Sequence, residues 1–315
     1  MELLNEILRA ETRIRGLIRE TPLDRSIPLS RATGTEVYLK MENLQHTGSF
    51  KVRGAMNRIF GLPEAQRAKG VVAASTGNHG AAVAFAAAKF GIRSIIYLPS
   101  NADRTKVEAM ERLGAEARFH GKDSVEAEIA GREHAREAGL TYISPYNDLE
   151  VVAGQGTIGI EIARCLPVVD NVFVSLGGGG LISGTACYLK AVRPGVRVIA
   201  CSPENSCVMI ESLKAGHLLE LESKETLSDG TAGGVEPGAI TFELCRALID
   251  ECVTVSEDEI ADAMKSFIES HHQLIEGAAG AALAGMMKAG LRSGQTNVVV
   301  LCGANVSLAT LRKIL

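Results

Sequence analysis

Tryptophan is absent from the 315 residues, and phenylalanine and tyrosine bring the aromatics to only 4%. A surface that stacks nucleobases or sugars needs more rings than that. Basic excess is missing too: 33 Lys and Arg stand against 37 Asp and Glu, a net charge of −4. The clustered cations of a nucleic-acid binder are therefore not there. No apolar run reaches the roughly 18–20 residues of a bilayer span, the most apolar stretches breaking at Lys89 and Lys288. The opening MELLNEILRAETRIRG is charged throughout and reads as an amphipathic helix, without the apolar region of a signal peptide. No Cys-x-x-Cys pair occurs among the cysteines at 165, 187, 201, 207, 245, 252 and 302. Neither a zinc ribbon nor a thioredoxin-type site is supported, and reduced thiols in a cytoplasmic protein are the expectation.

Small and apolar residues are plentiful, with 46% hydrophobic and 33 glycines. A large core follows, in one large domain or two medium ones. Short β-rich runs alternate with helical patterns from end to end. Val71–Ala74, Ser94–Leu98 and Asn171–Leu176 read as strands, and Gly80–Phe90, Ser124–Ala138, Gly156–Leu166 and Ile182–Val192 as helices. Gly91, Gly114 and Gly139 stand just past three helices, where a left-handed cap is wanted. Such alternation predicts an α/β protein built on parallel sheets.

Four clusters at strand or loop ends carry the chemistry, where open α/β sheets bind ligands. They are Thr47-Gly48-Ser49-Phe50-Lys51, Ser75-Thr76-Gly77-Asn78-His79, Gly177-Gly178-Gly179-Gly180-Leu181 and Cys302-Gly303-Ala304-Asn305. The tetraglycine follows NVFVSL and precedes a helix, which suits a phosphate cradle of free amides at a positive helix end. It fits neither G-x-G-x-x-G nor the P-loop; a tight turn between helix and sheet is the alternative, but four consecutive glycines are more than such a turn needs, which favours the phosphate. Lys51 opens the helical pattern KVRGAMNRIF with Ser49 as a candidate N-cap. An apolar, helix-N-terminal place disfavours the cation and favours a nucleophilic amine, although an exposed lysine there is commonplace. Ser75, Thr76 or Asn78 could simply cap a helix, or the cluster could receive a carboxylate. Cys302 by itself could equally be a buried apolar thiol.

Together, SFKVRGA at Lys51, STGNHG at 75–80, SLGGGGLISG at 175–184 and CGAN at 302–305 resemble the fold-type II pyridoxal-phosphate (PLP) enzymes. Within these the chain is similar to the serine/threonine dehydratase and serine racemase branch, from Thr21-Pro22-Leu23 to Cys302. The resemblance implies a two-domain α/β fold of the tryptophan synthase β type, with twisted, mostly parallel sheets flanked by helices. Residues 1–52 with 147–315 would form the large PLP-binding domain, and 53–146 a smaller inserted one. Lys51 would carry PLP as a Schiff base, with Phe50 against the ring and Asn78 on its 3-oxygen. Gly177, Gly178, Gly179, Gly180 and Leu181 would hold the phosphate. Cys302 would face the ring nitrogen, Glu276 would stand near the cofactor, and Gly230 would line its edge. Ser75, Thr76, Asn78 and His79 would receive the substrate, Ser75 being also a candidate second proton-transfer group.

The implied activity is β-elimination of a β-hydroxy-α-amino acid such as L-threonine or L-serine to a 2-oxo acid and ammonia, in a homodimer. Racemisation is the alternative, as is a dehydratase for phenylserine, 3-hydroxyaspartate or a hydroxyectoine-derived substrate, since GTAGGVEPGAI at 230–240 departs from the usual threonine dehydratase wording. β-Replacement is a further rival. A dinucleotide oxidoreductase fails on its fingerprint and leaves Lys51 unexplained, and a non-catalytic amino-acid or PLP-binding protein would leave Lys51 idle. The family's acidic metal positions read Ser202 and Val208 here, so no metal is expected.

Overall fold

Continuous apolar runs become central strands, covered on both faces as such runs require. The structure, a computed structural model, describes residues 1–315. Its strands are Leu23–Arg25 (β1), Glu36–Lys40 (β2), Val71–Ala74 (β3), Ser94–Leu98 (β4), Glu116–Phe119 (β5), Thr141–Tyr142 (β6), Asn171–Ser175 (β7), Arg197–Pro203 (β8), Glu251–Val255 (β9) and Thr296–Val300 (β10). The α-helices are Glu2–Ile14 (α1), Ile27–Thr33 (α2), Lys51–Gly61 (α3), Glu64–Lys69 (α4), Asn78–Lys89 (α5), Arg104–Arg112 (α6), Ser124–Ala138 (α7), Leu149–Cys165 (α8), Gly180–Val192 (α9), Val208–Ala215 (α10), Ile240–Leu248 (α11), Glu257–His271 (α12), Gly277–Lys288 (α13) and Leu308–Ile314 (α14).

Six strands form one sheet in the order β1-β2-β10-β7-β8-β9, and four form another in the order β5-β4-β3-β6. Every pairing is parallel except β1 with β2. This is the α/β architecture the alternation predicts. Each sheet has its own core: Phe173, Ile199 and Val298 belong to the larger one, Val71, Ala82 and Ile96 to the smaller. Gly91, Gly114 and Gly139 all take positive φ, as their places past helix ends require. No helix is long and apolar enough to cross a membrane.

Three helices begin earlier than their patterns suggest, α5 by two residues at Asn78. α8 starts at Leu149 because Asp148 caps it, accepting from the amides of Glu150 (2.8 Å) and Val151 (3.2 Å). α9 starts on Gly180, inside the glycine loop. α8 packs between α3 and α9, so it separates the helix that begins at Lys51 from the helix that begins at the glycines.

Candidate active site

A cleft of about 340 Å³ opens between the two sheets and brings together residues from all four clusters. That size suits a small molecule. Phe50, Lys51, Ser75, Thr76, Asn78, His79, Gly177 to Gly180, Leu181, Gly230, Glu276 and Cys302 all line it.

Lys51 reaches the cleft from the first residue of α3. Ser49 does not cap this helix: Phe50 holds the N-cap place, no side chain caps it, and the fully buried Ser49 hydroxyl has no partner. The turn is fixed by backbone instead. Ser49 forms an antiparallel bridge with Gly303, and the Phe50 amide donates to the Cys302 carbonyl at 3.0 Å. Sequence-distant ends are thereby stitched together beside Lys51. Lys51 Nζ donates to the Pro145 carbonyl at 3.1 Å and lies 5.2 Å from the Phe50 ring centre. Burial lowers its pKa to about 8, outweighing the opposite pull of Cys302 and Glu276. An amine so placed has a minor but real neutral fraction near physiological pH, far more than an ordinary lysine.

The Ser75–His79 turn leads from β3 into α5 without a side-chain cap; Gly77 takes the N-cap place. Ser75 Oγ accepts from the Gly77 amide at 3.2 Å. Helix caps are thus not what these hydroxyls and Asn78 provide, and the first amides of α5 have no intrahelical acceptor. They form a positive helix end facing the cleft. His79 is buried, and its Nε2 lies 2.8 Å from the Ile143 carbonyl. That contact requires the hydrogen on Nε2 and leaves the unpartnered Nδ1 as an acceptor. Burial, with Lys51 nearby, lowers its pKa to about 3. The imidazole therefore offers a carboxylate no positive charge, and the turn's own amides are the donors that face the cleft.

Asn78, Glu276, Cys302 and Asn305 form one network. Asn78 Nδ2 donates to both Glu276 carboxyl oxygens at 2.9 Å, while Asn305 Nδ2 donates to Asn78 Oδ1 at 2.6 Å. The Asn305 amide reaches Glu276 at 3.1 Å, and Cys302 Sγ lies 3.7 Å from the same carboxyl. Burial pushes the Glu276 pKa up, and it pushes that of Cys302 well up, so the thiol stays protonated. Asn305 has a place in this network that sequence reasoning did not give it, although CGAN holds the signal.

The glycine loop has two reasons for its composition. A Cβ on Gly177 would stand 2.9 Å from the Thr231 backbone, and one on Gly178 would strike the Tyr146 ring. Gly179 has φ 86°, and its Cβ would be 2.7 Å from Cys245 Sγ. Close packing alone thus explains glycines whose number had suggested a ligand. What the loop offers a ligand is its amides: those of Gly177, Gly178 and Gly179 reach no acceptor in the chain, and α9 adds its positive end. Where the family resemblance would place acidic metal ligands, the Ser202 hydroxyl donates to the Leu176 carbonyl at 2.7 Å and Val208 is buried.

An amine whose proton is easily lost, a cradle of free amides and a buried amide–carboxyl–thiol network fit PLP: an aldehyde, a phosphate and a polar ring edge. The comparisons agree. The family of pyridoxal-phosphate dependent enzymes matches residues 14–303. The L-threonine ammonia-lyase of Thermotoga maritima is 42% identical over 312 residues, 99% of this chain and 78% of that protein. Threonine deaminase isoform 2 of Solanum lycopersicum, in its processed form, superposes with a TM-score of 0.94 at 33% identity, covering 99% of this chain and 92% of that one. Maize serine racemase superposes at 0.93 and 32% identity, covering 98% and 95%. The chain belongs to the pyridoxal-phosphate dependent enzyme family, and PLP is its cofactor.

Proposed function

We propose that this enzyme eliminates water from a β-hydroxy-α-amino acid, L-threonine or L-serine, to give a 2-oxo acid and ammonia. The observation that carries this reading is the Lys51 amine, held in the cleft with no carboxylate paired to it and its pKa lowered to about 8. The names of the Thermotoga maritima and Solanum lycopersicum proteins support the same substrate class. PLP, when bound, supplies an electron sink for the carbanion at Cα. Lys51 would hold the cofactor and take the Cα proton as general base. The amides at the start of α5, with Ser75 and Thr76, would orient the substrate carboxylate. Asn78 would hold the ring's 3-oxygen, the glycine loop with Leu181 its phosphate, and Phe50 and Gly230 its faces and edge. Glu276 keeps Asn78 oriented. Cys302, a thiol kept neutral by burial, would offer the ring nitrogen no negative charge.

Residues 53–146 would act as a small domain closing over the substrate and excluding water, and two copies would pair, in the cytoplasm. The test of function is the visible spectrum of the purified protein before and after L-threonine. A band that changes as 2-oxobutanoate forms supports the lyase; a band that changes without oxo acid redirects the reading to another substrate or to racemisation.

Racemisation has one specific observation behind it: Ser75 lines the same cleft as Lys51 and spends its oxygen only on accepting from Gly77. Its hydroxyl hydrogen is free to serve as a second proton source. Chiral analysis after incubation with L-serine decides this, D-serine accumulation being the positive result.

Two further outcomes are expected. Capture of added PLP by the apoenzyme, trapped with borohydride, should rise with pH because only the neutral amine attacks. Its midpoint should fall near 8 and not near the ordinary 10.5. Chelator treatment should leave turnover unchanged within about twofold, since uncharged Ser202 and apolar Val208 offer a divalent cation no hard anionic ligand. Turnover restored by added magnesium or calcium would contradict this.

A further inference from the structure

Arg53 lies two residues beyond Lys51 and is fully buried. Two helical residues correspond to a rise of about 3 Å and a rotation of about 200°. Lys51 and Arg53 therefore leave α3 on opposite sides, one into the cleft and the other into the protein. The guanidinium makes two forks. Nε and Nη2 donate to Glu42 at 2.7 and 2.8 Å, and Nη1 and Nη2 donate to Glu161 at 2.6 and 2.8 Å. Nη1 also donates to Thr157 Oγ1 at 3.0 Å. Lys40 completes the cluster by pairing with Glu161 and donating to the Thr21 carbonyl at 2.6 Å. All four ionic side chains are buried, and their two positive and two negative charges cancel.

Burying four charges is a poor way to gain stability, because desolvation consumes most of the Coulombic attraction. A doubly bidentate guanidinium instead contributes direction. Glu42 follows β2 and Glu161 belongs to α8, so Arg53 is gripped from both sides of the first turn of α3. Turning or sliding that turn, which is how Lys51 would move, requires breaking both forks. The charge placement also matters. The first turn of α3 carries no acidic residue, so both of its cations sit at the positive end of a helix. Arg53 is fully compensated there and Lys51 is not.

We infer that Arg53, clamped by Glu42 and Glu161, is a positioning residue for Lys51, fixing where its amine stands in the cleft. This rests on Lys51 as the cofactor-bearing base. The test uses the PLP-loaded holoenzyme of Arg53→Lys, Glu161→Gln and Thr157→Val. Lysine keeps the charge and loses the fork, while valine removes one acceptor from Arg53 together with the hydroxyl's own bond to the Gly154 carbonyl. Displacement of a catalytic group by even about 1 Å costs up to about a hundredfold in rate. Arg53→Lys and Glu161→Gln are expected to lower kcat by about tenfold or more, with KM within about threefold. The pH midpoint of the visible band should move by about half a unit. Thr157→Val should show the same pattern at about threefold in kcat.

A merely structural role would lower resistance to denaturant while kcat and the band's midpoint stayed at parental values in every variant that folds; that result overturns the inference. If the first two variants do not fold, Thr157→Val decides alone. Borohydride reduction followed by peptide mass spectrometry separates the two hypotheses. A label elsewhere than Lys51 in the parent defeats the base assignment, whereas a label on Lys51 with unaltered kcat in the variants defeats only the positioning role.

Discussion

Replacing Lys51 with alanine is expected to lower 2-oxo acid formation by at least about 10⁴-fold, because on the proposed mechanism one side chain would supply both the cofactor's anchor and the general base. No neighbouring group is placed to substitute. His79 presents an acceptor nitrogen that burial holds neutral, but its ring is tied to the Ile143 carbonyl. The Ser75 hydroxyl is a weak base without a partner to activate it. Lys51→Arg should be as inactive as the alanine variant, since a guanidinium stays protonated and forms no imine-type bond. PLP should still enter both variants, because the amides of the glycine loop and the Asn78–Glu276 pair are untouched. Its visible band would then resemble that of free PLP. Steady-state assays with L-threonine and spectra of the dialysed variants check this together. Elimination at a near-parental rate in Lys51→Ala would remove the amine from the mechanism.

How far a sequence discloses such a site depends on whether local chemistry or element crossing decides it. β3 and β4 have the bounds that their apolar runs predict, because both faces of each are covered and composition alone marks them. β1, the three-residue edge strand Leu23–Arg25, escapes notice because it is half exposed and has no apolar pattern. The first part of α8 is hidden for the opposite reason. Gly154 interrupts the pattern there, yet glycine is required at that place because a Cβ would stand 2.6 Å from the Arg53 carbonyl oxygen. The four polar or glycine clusters are legible as ligand-binding ends, and the cleft unites them. Tyr146, which packs on the glycine loop, and the Arg53 clamp depend on which helices cross, and no spacing in the chain announces that.

That crossing gives the second large effect. Gly184 of α9 meets α8 where a Cβ would strike the Val152 carbonyl oxygen and stand 2.6 Å from the Gly156 amide nitrogen. Both are backbone atoms, so no flexible side chain can yield. Two more contacts on the same face tighten the constraint: a Cβ on Gly156 would lie 3.0 Å from the Gly184 carbonyl, and one on Gly159 would lie 2.7 Å from that of Thr185. Gly184→Ala should therefore force the two helices apart. Alanine's better helix propensity offsets about 1 kcal/mol, whereas overpacking at a backbone contact costs about 3 kcal/mol. A net loss of about 2 kcal/mol in chemical denaturation follows. Gly195→Ala, with nothing within 4 Å of the added carbon and no positive φ, should stay within about 0.5 kcal/mol of the parent. The loss should also reach function, because Gly184 is about one turn from the amides of Gly180 and Leu181, which would hold the phosphate on the proposed reading. Displacing them should weaken PLP binding by about tenfold, near 1.4 kcal/mol, measured by equilibrium dialysis. Equal stability and equal PLP affinity in the Gly184 and Gly195 variants would show that α8 does not set the position of the glycine cradle.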